Sequence, residues 1–424
     1  MSIKNIYYKM MKKNKNNPEK ILRLMQLGLN YEFFRIKHSS RDPYALKYLN
    51  EVSLRIMKRA LESPQTSVWV NLFVPSEVLH AFDLNPICIE YYASFLSGFK
   101  LQNVYLDEAD KKGLSDTLCS YHKAFIGAVE GEIVPQPVFS VATSTICDAN
   151  NSTFAYLSQK RNTPYFLLDI PHEKNDASID YVYHQLLEMI KAIENIKGQK
   201  FDIHKLKKII QMENRTLACI EQMLPLFGHK TYPKTMTQEM YMLNTAHVYM
   251  GTPEAFHFYK TMYKELQNSG ESKKKKIFWV HTMPFPFSPF KKLFKERGFE
   301  IVSMELNYPD AVYLDEENPI RALSEKMIDN IYNGSYQRKI NKILYMADIL
   351  KVDGVIQFCH LGCRQNSGGM DLLRKALKSK NIPFLPIDGD GLDMRKNQQG
   401  QLITRVEAFL EIIVNKAKDV RYNS

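Results

Sequence analysis

Apolar residues recur at three- and four-residue intervals through residues 18–62, a spacing that predicts amphipathic helices. The pattern changes at 67–74, where the run SVWVNLFV is short, apolar and rich in β-branched and aromatic residues. Two further runs of this kind, at 137–143 and 165–170, flank a helical segment at 151–161. Strand, helix and strand in this order predict a β-α-β unit with parallel strands and a right-handed crossover.

The second half of the chain repeats this alternation after a helical stretch at 178–268. Strand patterns, separated by helical ones, recur at 276–282, 299–305, 353–359 and 383–388. A last helical pattern closes the chain. Alternating strands and helices favour an α/β fold with two doubly wound, Rossmann-like or flavodoxin-like domains on parallel sheets, plus N-terminal and intervening helices.

Length and composition agree with a division into domains. The 424 residues are too many for one compact core, and the 45% apolar and 12% aromatic content is typical of a packed globular protein. A lysine run at 273–276 marks a surface turn between two of the patterns. We predict an N-terminal helical segment at 1–62, a first α/β domain with a helical extension at 63–272, and a second α/β domain at 273–424.

Charge and targeting signals limit the partners. No apolar run approaches the roughly 18 residues that span a bilayer, and the basic N-terminus lacks the apolar region of a secretory signal. We therefore expect a cytoplasmic protein with no membrane partner and with reduced cysteines. Lys and Arg exceed Asp and Glu by 57 to 46. No nucleic-acid-binding signature accompanies this charge, so solvated faces or a phosphate-bearing ligand explain it better than nucleic acid does.

Three cysteine positions fall where a cleft between the two domains is expected. Cys359 and Cys363 follow a strand pattern of the second domain, and Cys147 follows one in the first domain. Ligands of open parallel sheets bind beyond the carboxyl ends of the strands. Cys119 stands near the start of a predicted helix, a position that favours a thiolate or an anionic cluster.

Spacing alone leaves several chemistries open for these thiols. Cys359, His360 and Cys363 form at most half a zinc site, and the Cys-x-x-Cys spacing of a redox pair is absent. An iron–sulfur cluster accepts cysteines from separate loops, and inert buried thiols are the competing interpretation. Cys88 and Cys219 lie in apolar surroundings and are expected in the core.

Five segments, in the same order, resemble the 2-hydroxyacyl-CoA dehydratase family, which includes the benzoyl-CoA reductase subunits. The resemblance is to the D-component type of 2-hydroxyglutaryl-CoA dehydratase and extends from about residue 67 to 418. The segments are FVPSEVLHAFDLNP (73–86), SDTLCSYHKAFIGAVEG (115–131), ATSTICDANNSTF (142–154), QFCHLGCRQNSGGMDLLRKAL (357–377) and PFLPIDGDGLDMRKNQQGQLITRVEAFLEII (383–413).

The resemblance implies a [4Fe–4S] cluster between two α/β domains, held by three cysteines, with a fourth iron that faces the substrate. Carried onto this chain, the ligands are Cys119, Cys147 and one of Cys359 and Cys363. The family's third segment typically ends in a Gly-Cys-basic unit, here GCR, which favours Cys363. In a related group of small-molecule reductases an [8Fe–9S] double cubane would recruit both Cys359 and Cys363, and could extend to Cys88.

The implied activity is that of a lyase that dehydrates a hydroxyacyl-CoA reductively. A separate ATP-hydrolysing iron–sulfur activator injects one electron, the thioester becomes a ketyl radical anion that expels hydroxide, and the electron is recycled. The partners are then the activator, the acyl-CoA substrate, and a homologous second subunit or a second copy in a dimer. The absence of GxxxxGK[ST] and GxGxxG motifs fits ATP binding by the activator. A partner subunit without catalysis is the remaining alternative.

Four further residues have candidate roles in the implied site. Glu77 follows a predicted strand within a family segment and is the first carboxylate to test as acid or base, against a capping or salt-bridged surface role. His360, Arg364 and Gln365 adjoin the third cysteine segment. They are placed to donate hydrogen bonds to cluster sulfurs or to substrate, although a structural role for His360 is the alternative.

Overall fold

Two four-stranded parallel sheets form the framework of the computed structural model, which describes residues 3–38, 42–284, 288–309 and 312–422. The strands are β1 (Ser67–Val70), β2 (Asn85–Cys88), β3 (Phe139–Thr143), β4 (Tyr165–Leu168), β5 (Lys275–Val280), β6 (Phe299–Met304), β7 (Gly354–His360) and β8 (Phe384–Gly389). The first sheet has the order β2-β1-β3-β4, and the second has the order β6-β5-β7-β8.

Helices precede, separate and cover these strands. They are α1 (Ile3–Lys13), α2 (Pro18–Lys37), α3 (Tyr44–Glu62), α4 (Ser76–Ala81), α5 (Ile89–Gly98), α6 (Gln102–Lys111), α7 (Ser120–Glu130), α8 (Asp148–Arg161), α9 (Asp176–Lys197), α10 (Ile203–Phe227), α11 (Met236–His247), α12 (Pro253–Gln267), α13 (Ser288–Glu296), α14 (Pro319–Asp329), α15 (Tyr336–Ile349), α16 (Arg364–Ser367), α17 (Met370–Ser379) and α18 (Gln399–Tyr422). Within the described ranges, no helix is both long enough and apolar enough to cross a bilayer.

The two sheets share one topology. In each of them the first strand lies between the second and the third, so the strand order reverses there, as in doubly wound folds. Every strand pair is parallel. The predicted fold class, two doubly wound α/β units with N-terminal and intervening helices, is therefore confirmed.

Burial follows position in the sheets. All residues of β1, β3 and β7 are buried, because strands inside a parallel sheet are covered on both faces. The strand β2, which the sequence pattern did not predict, is a four-residue edge strand. It contains Pro86, a residue that sheets tolerate at their edges, and Asn85 and Pro86 conceal the short apolar run from a pattern search.

The helix α10 connects two parts of the core. Near its start, Leu206 and Ile210 pack in the core around the first sheet. Further along, Leu217 and Met223 pack in a core that includes Phe278 of β5. The boundaries at 62 and 272 stay a prediction, because this intervening helix contributes to the cores of both sheets.

Candidate metal centre

The carboxyl ends of both sheets meet at one cavity of about 120 Å³. Phe73 follows β1, Cys147 follows β3, His281 follows β5 and His360 ends β7, and all four residues line the cavity. These are the first and third strands of each sheet, the place where doubly wound folds bind their ligands. The two pseudo-equivalent binding positions of the fold are thus merged into one site between the sheets.

Four cysteines line this cavity, and each one is the N-cap residue of a helix. Cys88 precedes α5, Cys119 precedes α7, Cys147 precedes α8 and Cys363 precedes the short α16. The positive ends of helices favour negative charge, and helix starts are where thiols become thiolates most readily. Sulfur ligands from separate loops are therefore presented to one space.

The thiols are nevertheless uncharged in the bare protein. Burial raises the pKa of Cys147 to about 12 and also raises the pKa of Cys363. Burial, and then the neighbouring Cys147 and Cys363, raise the pKa of Cys119 well above its ordinary value. The backbone N–H groups of Asn150 and Asn366 act on the pKa values of Cys147 and Cys363 in the opposite direction. A bound cationic metal would supply the charge that three clustered thiolates require.

An imidazole stands beside each of three thiols. The distances from Sγ to Nε2 are 3.2 Å for Cys119 and His360, 3.8 Å for Cys147 and His122, and 3.5 Å for Cys363 and His281. Burial lowers the pKa of His122 to about 4 and also lowers the pKa values of His281 and His360. These histidines are therefore neutral and can donate from only one ring nitrogen each.

The tautomer of His360 follows from its second contact. Its Nδ1 accepts a hydrogen bond from the backbone N–H of Gly391 at 3.0 Å. The proton of the neutral ring is then on Nε2, which points at the sulfur of Cys119. The predicted donor position of His360 beside a cysteine ligand agrees with this geometry.

Cys359 lies outside the cavity lining. It is 3% exposed, and its sulfur contacts the sulfur of Met370 at 3.9 Å. Neighbouring residues of a strand point to opposite faces, so Cys359 and His360 cannot face the same space. Arg364 and Gln365 also lie outside the lining, Arg364 being exposed at the start of α16.

The backbone is strained at the loops that carry these groups. Ile146, which precedes Cys147, has a φ of 71°, and His281 has a φ of 74°. A left-handed conformation is rare for a β-branched residue such as isoleucine and costs about 1–3 kcal/mol. Gly362, which precedes Cys363, has a φ of 86°. Such strain concentrates at functional sites.

A carboxyl group that the sequence pattern did not single out also faces the cavity. Glu90 follows β2, and its Oε2 accepts a hydrogen bond from the thiol of Cys88 at 3.1 Å. Burial raises the pKa of Glu90 to about 7. A carboxyl group with this pKa can both give and take a proton near neutral pH. Its position two residues after a cysteine at a strand end was the available signal.

Glu77 has a different position from the one predicted for an acid or base beside the thiols. It does not line the thiol cavity, but is buried in α4 and bound to Lys326 at 2.6 Å. Lys326 also binds Glu213 of α10 at 2.5 Å. Glu213 and Lys326 border a smaller cavity of about 80 Å³, which shares Leu72 and Phe73 with the thiol cavity. Glu77 is thus one wall away from the thiols.

A buried polar network supports the loop of Cys363. The ammonium group of Lys339, which is 0% exposed, donates to Oδ1 of Asn366 at 3.1 Å and lies 3.7 Å from Oε1 of Glu305. Gln357 donates to the backbone carbonyl of Asn366 at 2.7 Å, and Oε2 of Glu305 accepts from the N–H of His281 at 3.2 Å. The network joins the ends of β5 and β7 to α16.

The donors fit a multi-iron group better than a single ion. In the part of the chain that the structure describes, no three His, Cys, Asp or Glu side chains are close enough to hold one metal ion. A cluster distributes its cysteines over different iron atoms, so its ligands stand further apart than those of a single ion. Three N-cap thiols around an apolar space meet that requirement.

Fold and site together define a class: an α/β protein with two parallel sheets and a thiol-lined cleft between them. Comparison with known families then gives the assignment. Residues 71–413 match the family model for 2-hydroxyglutaryl-CoA dehydratase, D-component. The chain belongs to this family, as the five sequence segments indicated.

Characterised relatives are components of acyl-CoA enzymes. The chain is 22% identical to the (R)-phenyllactyl-CoA dehydratase alpha subunit of Clostridium sporogenes, over 89% of this chain and 97% of the relative. It is 24% identical to the (R)-2-hydroxyisocaproyl-CoA dehydratase alpha subunit of Clostridioides difficile, over 85% and 93%. It is 23% identical to a benzoyl-CoA reductase subunit of Thauera aromatica, over 82% and 89%. At these identities the chemistry is shared more securely than the acyl group.

Proposed function

We propose that this chain is the cluster-bearing subunit of a 2-hydroxyacyl-CoA dehydratase that removes water from its substrate after one-electron activation. The observation that carries the proposal is the convergence of three helix N-cap thiols on one cavity at the carboxyl ends of both sheets. Membership of the dehydratase family supports it.

Cys119, Cys147 and Cys363 would hold a [4Fe–4S] cluster, and Cys359 would not. The first three sulfurs face the cavity, whereas Cys359 contacts Met370 on the other side of β7. When bound, the cluster would supply a low-potential one-electron centre with one iron position free of cysteine.

Other residues of the chain supply binding and proton chemistry. The N–H of His360 points at Cys119, where it would donate to a ligand sulfur and favour its anionic form. Glu90 is the carboxyl group in reach of a bound substrate, and it would hold or release the proton that accompanies loss of hydroxide. Apolar walls keep water away from this exchange.

The reaction needs partners that this chain would recruit. A 2-hydroxyacyl-CoA loses water to give the 2-enoyl-CoA, and the activating electron is returned at the end of each cycle. The electron would come from a separate ATP-hydrolysing iron–sulfur activator. A homologous second subunit, or a second copy, would complete the enzyme, as the subunit names of the relatives suggest.

One observation favours a second candidate, an [8Fe–9S] double-cubane reductase of small molecules. Cys88 is a fourth thiol on the cavity. The position of Cys359, which such a cluster would also recruit, argues against it. Iron analysis separates the two candidates, because the dehydratase would contain about four iron atoms per chain and the double cubane about eight.

The direct test is an anaerobic assay. The full chain, reconstituted with iron and sulfide, would be combined with its partner subunit, an activator, ATP and a 2-hydroxyacyl-CoA. Formation of the 2-enoyl-CoA that depends on ATP and activator is the expected result. A chain that binds iron yet forms no enoyl product with any hydroxyacyl-CoA would contradict the dehydratase function.

A further inference from the structure

The wall of the thiol cavity that faces the cysteines is apolar. Aliphatic and aromatic side chains from β1–α4, α5, α11 and the end of β6 build this wall. They are Leu72, Phe73, Tyr91, Met240, Leu243 and Leu306. Phe73 and Tyr91 give it flat aromatic surfaces, and none of these side chains carries a charge.

Positive charge is missing from the same wall. Among the described residues that line the cavity, none is a lysine or an arginine. The cation nearest along the wall, Lys326, lies beyond Leu72 and Phe73 and is bound by two carboxylates. Glu90 adds an acidic group instead. A second carboxylate on a ligand would therefore be buried here without a partner, which is strongly unfavourable.

We propose that the acyl group taken by this site carries an apolar side chain, branched aliphatic or aromatic, and that dicarboxylic acyl groups are rejected. This inference rests on the proposed function, since it concerns the acyl part of the same thioester. A site discriminates by the groups it leaves unpaired, so the missing cation decides more than the exact shape of the wall does.

A polar groove outside the cavity completes the argument. A space of about 720 Å³ shares Tyr91, Ser94 and Met240 with the cavity. Its further lining is polar and includes Lys100 and Gln102. Polarity thus increases outward, which suits a thioester with an apolar acyl end inside and a polar, phosphate-bearing end outside. The apolar end is the one that reaches the thiols.

The test compares three thioesters at equilibrium. The full chain would be titrated by calorimetry with 2-hydroxyisocaproyl-CoA, phenyllactyl-CoA and 2-hydroxyglutaryl-CoA, with free CoA as the baseline. We expect the first two to bind at least about tenfold more tightly than the glutaryl thioester. Equal or tighter binding of the glutaryl thioester would overturn the inference but leave the proposed function intact. Binding of no thioester beyond the CoA baseline would overturn both.

A charge-introducing variant gives the converse result. Leu243→Arg places a cation on the apolar wall and should improve glutaryl binding while weakening isocaproyl binding, each by about tenfold. Leu243→Met, which keeps an apolar group of similar volume, should retain the original preference. An unchanged preference in a folded Leu243→Arg protein would overturn the inference, and the wild-type titration decides it even if this variant does not fold.

Discussion

Gly362 and Cys119 are in backbone contact although they belong to different sheets' loops. A Cβ atom at Gly362 would lie 2.8 Å from the backbone nitrogen of Cys119. Gly362 also has a φ of 86°, which side chains other than glycine rarely adopt. This contact brings the helix start at Cys363 next to the helix start at Cys119, and so sets the spacing of two proposed ligands.

Replacement of Gly362 by alanine should separate these two loops. We expect Gly362→Ala to lower the free energy of unfolding by about 1–3 kcal/mol and to reduce bound iron strongly, because the methyl group displaces backbone atoms. Anaerobic iron analysis and urea denaturation measure the two effects.

Gly113 provides the matched control for this variant. It has a φ of 77° with no atom within 4 Å of a built Cβ. Gly113→Ala therefore introduces the same conformational cost, about 1 kcal/mol, without the collision, and should retain iron. Equal iron loss in both variants would contradict the role assigned to the contact.

Glu90 should matter for turnover and not for the cluster. Glu90→Gln removes the only carboxyl group among the described residues of the cavity lining and keeps its shape. We expect the rate of dehydration to fall about 10²–10⁴-fold while iron content stays the same. Glu188→Gln, on the exposed face of α9, serves as the control and should leave the rate unchanged. A Glu90→Gln enzyme with full activity would exclude Glu90 from proton transfer.

The cluster of Glu77, Lys326 and Glu213 should make stability depend on pH. Burial, together with the negative charge of Glu77, raises the pKa of Glu213 from 4.5 to about 8. The folded protein then holds a proton that the unfolded chain has lost. The free energy of unfolding should fall as pH rises from about 5 to 8, by up to about 1.4 kcal/mol per pH unit.

Two variants test this pH dependence. Glu213→Gln removes the titrating group and should abolish the slope between pH 5 and 8. Glu77→Gln should do the same, because Glu213 alone beside Lys326 would ionise at its ordinary pH. Urea denaturation at several pH values gives the slopes. A wild-type slope that persists in Glu213→Gln would show that another group is responsible.

Lys339 should stabilise the fold and tune the proposed cluster. Lys339→Met leaves Glu305 buried and unpaired, so we expect a loss of about 3–5 kcal/mol in the free energy of unfolding. The double variant Lys339→Met with Glu305→Gln should recover part of it. Where iron is retained, loss of the positive charge should make the midpoint potential more negative, as read by redox titration with electron paramagnetic resonance. A potential that does not move would contradict the electrostatic role.

The sequence pattern was sufficient for the parts of the fold that repeat. Apolar runs located seven of the strands, and alternation with helices indicated two parallel sheets. The edge strand at Asn85–Cys88 was missed because four residues that begin with Asn-Pro give no run of their own. Cys88 and Glu90, which follow from this strand, were therefore not placed at the cavity.

Contacts between distant segments set the limits of prediction for the site. Cys119 and Cys147 were recognised from their helix starts, but His122 and His281 become neighbours of the thiols only through folding. For Cys359, a usable signal was present: it adjoins His360 in one strand, and alternation places the two on opposite faces. Only one of them can face the cavity.

The most direct test of the account is the iron content of two serine variants. After anaerobic reconstitution, the wild-type chain and Cys359→Ser should each bind about four iron atoms with the electron paramagnetic resonance signal of a reduced cluster. Cys363→Ser should lose most of the iron and the signal. Full iron in Cys363→Ser with loss in Cys359→Ser, or no iron in the wild-type chain, would contradict the proposed centre.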